Sequence, residues 1–213
     1  MGIVRQEVCD DDFNPNPGFS YALRKGDFAI AMQDVYDFFG DVNERLAEKG
    51  LGRLEDMMLR ASLSGMLSDM LTASLAAHAR TLTRNIYPNG HPDLIRKGTY
   101  PDDSVKSGDA GVEIKTTVKR GGAVDAHGAR NQWLCVFVYK VDTVTQPLVA
   151  RELLRFTEVY LAQVQEDDFR KNERGALGTR TATLHKDGLK KLRSGWIYCE
   201  EDAGVPRRSR EGA

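Results

Sequence analysis

HPDLIRKGTYPDDSVKSGDAGVEIKTTVKRGGAVDAHGARNQWLCVFVYKVD, residues 91–142, is the stretch that decides the fold. Val112-Glu113-Ile114-Lys115 lies in an apolar, β-branched run, which predicts a strand over 110–118. Side chains two apart on a strand point the same way, so Glu113 and Lys115 share one face and Val112 and Ile114 the other. Trp133–Val141 is a continuous apolar run of strand length, as expected of a strand covered on both sides. Upstream, Pro92-Asp93 is followed by Leu94 and Ile95, which suits a short strand over 93–96. Pro101-Asp102 is a second Pro-Asp pair, but Asp102, Asp103 and Asp109 sit among Gly, Ser and Lys and read as loop.

An acid and an amine side by side on a rigid strand, with a second acid arriving from a neighbouring segment, suit metal-dependent phosphodiester chemistry. Mg²⁺ prefers carboxylate and water oxygens and often uses only one or two carboxylates from the protein. The spacing makes Asp93 and Glu113 candidate metal ligands and Lys115 a candidate to orient the attacking water and offset charge on the phosphate. Glu113-Ile114-Lys115 is the one Asp/Glu-x-Lys triplet in the chain. A bland alternative is a turn-capping Asp93 with Glu113 and Lys115 as a surface ion pair.

Over about residues 91–142 this pattern resembles the PD-(D/E)XK nuclease superfamily, which includes many type II restriction endonucleases. The resemblance implies an α/β restriction-endonuclease-like core: a mixed β-sheet flanked by helices. It implies a Mg²⁺-dependent endodeoxyribonuclease (Mn²⁺ substituting) with Asp93, Glu113 and Lys115 as catalytic residues and the Ile114 carbonyl as a further metal ligand. The best-fitting activity is that of a sequence-specific type II restriction enzyme. The alternatives are a repair or structure-directed nuclease of the same fold and a non-catalytic DNA-binding protein. Double-stranded DNA is the implied partner. A homodimer is expected because a palindrome presents its bases twice.

Around this core the sequence predicts long N-terminal helices. Residues 1–26 read as an irregular arm with a turn signal at Asn14-Pro15-Asn16-Pro17-Gly18. Phe28, Ala31, Val35, Phe38, Phe39, Val42 and Leu46 follow helical spacing, giving a helix over 27–49. A second, longer helix is expected over 53–84, apolar on more than one side, and either central to the core or shared with a partner subunit. Glu55, Ser62 and Asp69 would form one polar stripe on it, with Glu55 or Asp69 a possible extra acid for the metal. Residues 147–156 read as a helix or a loop leading to a strand near 159–164. Further expected elements are a strand over 179–184, a short helix over 185–193 and a closing strand at 196–198. A single nuclease domain thus spans 27–199: a helical part (27–90), a catalytic core (91–165) and a DNA-recognition part (166–199). A polar tail follows at 200–213.

Secondary candidates for DNA contact are Thr117, on the face of Glu113 and Lys115, and His127 and Arg130 in the loop before the buried strand. Thr179, Arg180, Thr181, Thr183 and Lys186 complete the set, in a stretch suited to base-edge and phosphate contacts. His78, His91 and His185 carry no assigned role. Charge supports this only modestly: residues 169–213 hold 11 Lys/Arg against 6 Asp/Glu, whereas residues 1–168 hold 19 against 25. Cys9, Cys135 and Cys199 are too few and too widely spaced for a disulfide framework or zinc site. No apolar run approaches the roughly 20 residues of a membrane span. No signal-peptide pattern opens the chain, so a cytoplasmic location is the expectation.

Overall fold

Apolar alternation in the middle of the chain produces a mixed sheet, and amphipathic segments before and after it supply the covering helices. The computed structural model describes residues 5–126, 128–147, 150–171 and 181–200. Helix α1 (Lys25–Glu48) is followed by one short turn of helix, α2 (Leu54–Met57), and by α3 (Arg60–His78). Then come β1 (Leu82–Arg84), β2 (Leu94–Arg96), β3 (Gly111–Thr117), β4 (Asp125–Ala126), β5 (Gln132–Lys140) and β6 (Arg155–Val164). β7 (Phe169–Lys171), β8 (Ala182–Leu184), α4 (Lys186–Ser194) and β9 (Trp196–Cys199) complete the order.

Six strands form the main sheet in the order β1-β2-β3-β5-β6-β9. β3 and β5 run parallel, with Glu113 beside Leu134, Lys115 beside Val136 and Thr117 beside Val138. Every other pairing in this sheet is antiparallel. A small second sheet, β4-β8-β7, lies apart from it. The chain is therefore mixed α/β, with a mixed sheet flanked by helices. Among the described residues no helix is long and apolar enough to cross a membrane.

The two faces of the main sheet enter different cores. Val112, Ile114, Cys135, Phe137, Tyr139, Phe156 and Val159 pack with Phe28, Met32 and Val35 of α1 and with Leu63, Leu67, Leu71 and Leu75 of α3. On the other face Leu134, Val136, Val138 and Tyr160 pack with Leu192 of α4 and with Ala182, Leu184 and Phe169 of the small sheet. The leucine stripe of α3 is thus consumed by this chain's own core, which removes it as ground for a subunit interface.

Two expectations need correction. The helix expected over 53–84 is broken: Met58 and Leu59 are extended, and α3 stops at His78. Arg53 fixes the break by donating to Asp56 and to the carbonyls of Glu152 (2.7 Å) and Asp142 (2.8 Å). Residues 82–84 go instead to the sheet, where Thr83 pairs with Ile95. The strand expected near 159–164 begins earlier, at Arg155. The N-terminal arm is irregular but docked. Phe13 is buried against Tyr198, and Asn14 donates its backbone N–H to Ile197 O (2.8 Å) and its side-chain amide to Trp196 O (2.8 Å) along the outer edge of β9.

Candidate active site

β3 carries Glu113 and Lys115 on the face opposite the α1/α3 core, and the end of β2 delivers Asp93. Antiparallel register places Leu94 against Val112 and Ile95 against Gly111, so the chain running back from β2 brings Asp93 level with Glu113. Gly111 permits this: a Cβ there would lie 1.9 Å from Leu94 O and 2.6 Å from Pro92 Cγ. Asp93 then substitutes for the missing strand partner, accepting the Ile114 N–H on Oδ2 at 2.8 Å. Arg96 N donates to Ala110 O at 3.1 Å, so alternate residues 110, 112 and 114 direct their backbone groups to this edge. A residue's N–H and C=O leave a strand on the same side, so the Ile114 carbonyl faces the Asp93 side as well.

A buried asparagine holds the approach to Asp93. Asn85 donates to Pro92 O (3.0 Å) and Val105 O (2.8 Å), and accepts from the N–H groups of Tyr87 and Val105 (both 3.1 Å). It ties the turn before Asp93 to the loop before β3. Nothing in the sequence marked Asn85, whose role is to satisfy backbone groups distant in the chain.

Glu113 is the centre of the cluster. Its Oε1 accepts from Lys115 Nζ at 2.5 Å and its Oε2 meets His91 Nδ1 at 2.8 Å. The Glu113 side chain is 8% exposed, and those of Lys115 and His91 are 21% and 14% exposed. Such a charge is tolerated because it is paired on both oxygens. Burial disfavours the Glu113 carboxylate, but the His91 hydrogen bond and the Lys115 charge outweigh it and hold its pKa below the ordinary range. Burial likewise works against the Lys115 ammonium, and Glu113 and Asp93 overcome it and raise its pKa. Asp93 goes the other way: burial, and then the charge of Glu113, push it up to about 6 against the partial relief of Lys115 and the Ile114 N–H. Asp93 Oδ1 makes no hydrogen bond to another described residue.

His91 was given no role on sequence grounds, because a lone histidine carries no pattern.

The remaining candidates separate. Arg130 lies close enough to act on Lys115 electrostatically. Thr117 is buried and its hydroxyl is engaged locally, donating to Ala123 O (3.0 Å) and accepting from Lys119 N (3.1 Å). Thr183 donates to Asp125 Oδ1 (2.9 Å) in the small sheet, Thr181 stands just before β8, and Lys186 is exposed at the start of α4. His127, Thr179 and Arg180 lie outside the described residues. Further along α4, Lys191 pairs with Asp168 and Arg193 donates to Gly121 O. Glu55 is on α2 and not on α3. It accepts from Asn43 (2.8 Å) and so does not share a stripe with Asp69, which is exposed.

Among the described residues no three His, Cys, Asp or Glu side chains are gathered to ligate a metal by themselves. The donor set is two carboxylates and one carbonyl, Asp93, Glu113 and Ile114. That suits Mg²⁺, which keeps several waters and takes substrate phosphate oxygens, and not a metal needing a full protein cage. A cavity of about 480 Å³ lies elsewhere, lined by Glu55, Leu63, Arg120, Tyr139 and Arg155 beyond the C-terminal end of β3. It contains none of the three clustered residues. Opposed pKa shifts on adjacent acids are the stronger marker of chemistry, and they point to Asp93 and Glu113. Comparison with protein-family models gives no match, and comparison with curated protein sequences gives none either.

Proposed function

We propose that the chain is a Mg²⁺-dependent endodeoxyribonuclease with a restriction-endonuclease-like core, of the sequence-specific type II restriction kind. The observation that carries the reading is the placement of Asp93 level with Glu113 and Lys115 on one face of the sheet, with the Ile114 carbonyl on the same edge. Burial, and then the neighbouring Glu113 charge, raise the Asp93 pKa to about 6. A divalent cation between the two acids would offset that charge. Bound there, Mg²⁺ (or Mn²⁺) would stabilise the phosphoryl oxygens and make a water more acidic.

The protein's own part follows from its geometry. Asp93 and Glu113 hold the site: Asp93 is anchored through Oδ2 by the Ile114 N–H, and Glu113 is held on Oε2 by His91 and on Oε1 by Lys115. Lys115 on β3 stands beside them, where its ammonium can meet a phosphate oxygen and orient the attacking water. Duplex DNA is the partner this chemistry asks for. Arg130, which already acts on Lys115 electrostatically, is the first candidate to grip a flanking phosphate.

The test is cleavage of plasmid and phage DNA with Mg²⁺, comparing wild type, Asp93→Ala and Lys115→Ala with EDTA controls. Discrete bands from wild type alone would support the restriction reading. A smear lost in both variants would keep the chemistry and point to a repair or structure-directed nuclease. No cutting of methylated or unmethylated DNA would sink the enzyme and favour a binding protein.

A further inference from the structure

Glu113 and Asp93 each have one oxygen held by a partner that cannot swing away, and they differ at the other. On Asp93, Oδ2 is taken by the Ile114 N–H, and Oδ1 makes no hydrogen bond to another described residue. On Glu113, Oε2 faces His91 Nδ1 at 2.8 Å and Oε1 faces the Lys115 ammonium at 2.5 Å. An ionised carboxylate only accepts hydrogen bonds, so Nδ1 carries the proton and His91 is the donor. A backbone N–H that anchors Asp93 cannot move away, because β3 holds it. The two partners of Glu113 differ in this respect. Lys115 ends a flexible four-carbon stem and can leave Oε1 for a phosphate. The His91 ring has a short stem and a pinned backbone: its N–H donates to Lys106 O (3.1 Å) and its carbonyl accepts from Gly108 N (2.8 Å).

We infer that His91 is a positioning residue for a divalent cation: it anchors Glu113 Oε2 so that Oε1 is presented beside Asp93 Oδ1. The inference rests on the nuclease reading of this site. His91 does not touch the metal or the phosphate; it acts through Glu113. It completes on one carboxylate what the Ile114 N–H does on the other, and so pre-forms both acids for one cation. The Lys115 ammonium donates to Oε1 at 2.5 Å and supplies positive charge to that oxygen. Partners that orient a ligating carboxylate in this way commonly contribute about 10–100-fold to metal affinity.

Mn²⁺ binding to the full chain, measured by calorimetry and by electron paramagnetic resonance, tests this without DNA. The variants are His91→Leu, which keeps bulk and loses the donor, His91→Asn, which keeps an N–H at a similar reach, and Asp93→Ala. The expected result is Mn²⁺ affinity reduced about 10-fold or more in His91→Leu and largely recovered in His91→Asn. In cleavage assays the Mg²⁺ concentration for half-maximal rate should rise by the same factor in His91→Leu, while kcat at saturating Mg²⁺ stays within a few-fold of wild type. If His91→Leu binds Mn²⁺ as wild type does while Asp93→Ala does not, the metal site stands and the role of His91 falls. A lowered kcat at saturating metal with unchanged Mn²⁺ affinity would also overturn it, moving His91 to proton transfer. Wild type that binds no Mn²⁺ would remove the nuclease reading together with the inference.

Discussion

The two faces of the main sheet are built from the same strands and do opposite things. On one, α1 and α3 seal the sheet: Val112, Ile114, Phe137 and Phe156 are wholly buried there. On the other, α4 and the small sheet cover Val136, Val138 and Tyr160 but leave the β2–β3 side to His91, Asp93, Glu113 and Lys115. β3 belongs to both. Its even-numbered residues Val112 and Ile114 hold the frame, and its odd-numbered residues Glu113 and Lys115 carry charge. The sealed face makes the open one possible, because a strand held by an apolar core keeps two carboxylates close at a cost they could not sustain alone.

That division can be broken first on the open face. Lys115→Met and Asp93→Ala should each lower Mg²⁺-dependent cleavage by roughly 10²–10³-fold, since removing one preorganised group at the reacting phosphate typically has that effect. Thermal unfolding should move by only a few degrees. Retained cleavage in either variant would show that the cluster is a structural ion pair. The sealed face should give the converse. Ile114→Ala keeps the backbone carbonyl and removes side-chain bulk from the α1/α3 core, costing about 2–5 kcal/mol of stability. At a temperature where it remains folded, its cleavage rate should stay within about 10-fold of wild type. If Ile114→Ala loses activity as completely as Lys115→Met while staying folded, the two faces are not separable.

Gly111 tests the seam between them. Gly111→Val would drive a side chain into Leu94 O and Pro92, which a Cβ alone already meets at 1.9 and 2.6 Å. β2 must then part from β3, taking Asp93 away from Glu113. Both stability and Mg²⁺-dependent cleavage should fall, the first by about 1–3 kcal/mol as for other overpacked sites. Denaturant unfolding and the plasmid assay would report both. Wild-type Mg²⁺ dependence in this variant would mean that Asp93 does not depend on the β2–β3 seam.

Local pattern was enough for the parts of the fold that local pattern determines. The alternation around Glu113, the apolar run of β5 and the helical spacing of α1 each read correctly, because in each the burial period is visible within one element. The break at Met58-Leu59 was not legible. It depends on Arg53 reaching carbonyls at Asp142 and Glu152, about ninety or more positions away in the chain. The transfer of residues 82–84 from helix to sheet has the same origin, since it depends on β2 as a partner. In the site, Asp93, Glu113 and Lys115 could be grouped because residue type and spacing carry their chemistry. His91 and Asn85 could not, because their parts are played through a partner's oxygen and through distant backbone groups.

The smallest expected effect bears on why the open face is left incomplete. Asp93 has its pKa raised from 3.8 to about 6 in the folded protein. Between those values the unfolded chain ionises Asp93 while the folded chain keeps it protonated, so its contribution is favourable below pH 3.8 and is lost as pH rises through about 6. Glu113 has the opposite slope: its depressed pKa gives stability present above 4.5 and lost as pH falls through its folded value. Asp93→Asn removes the first effect and keeps an oxygen for the Ile114 N–H. Without metal it should raise Tm at pH 7.5 by ~2–4 °C, the equivalent of about 1 kcal/mol once solvent screening of the half-buried carboxyl is allowed for. At pH 4 the gain should vanish. Added Mg²⁺ should raise Tm of wild type and not of Asp93→Asn, closing the gap from the other side. A gain of equal size at pH 4 and pH 7.5 would show that the carboxyl is not strained by its charge. The open face would then hold no unmet demand for a cation.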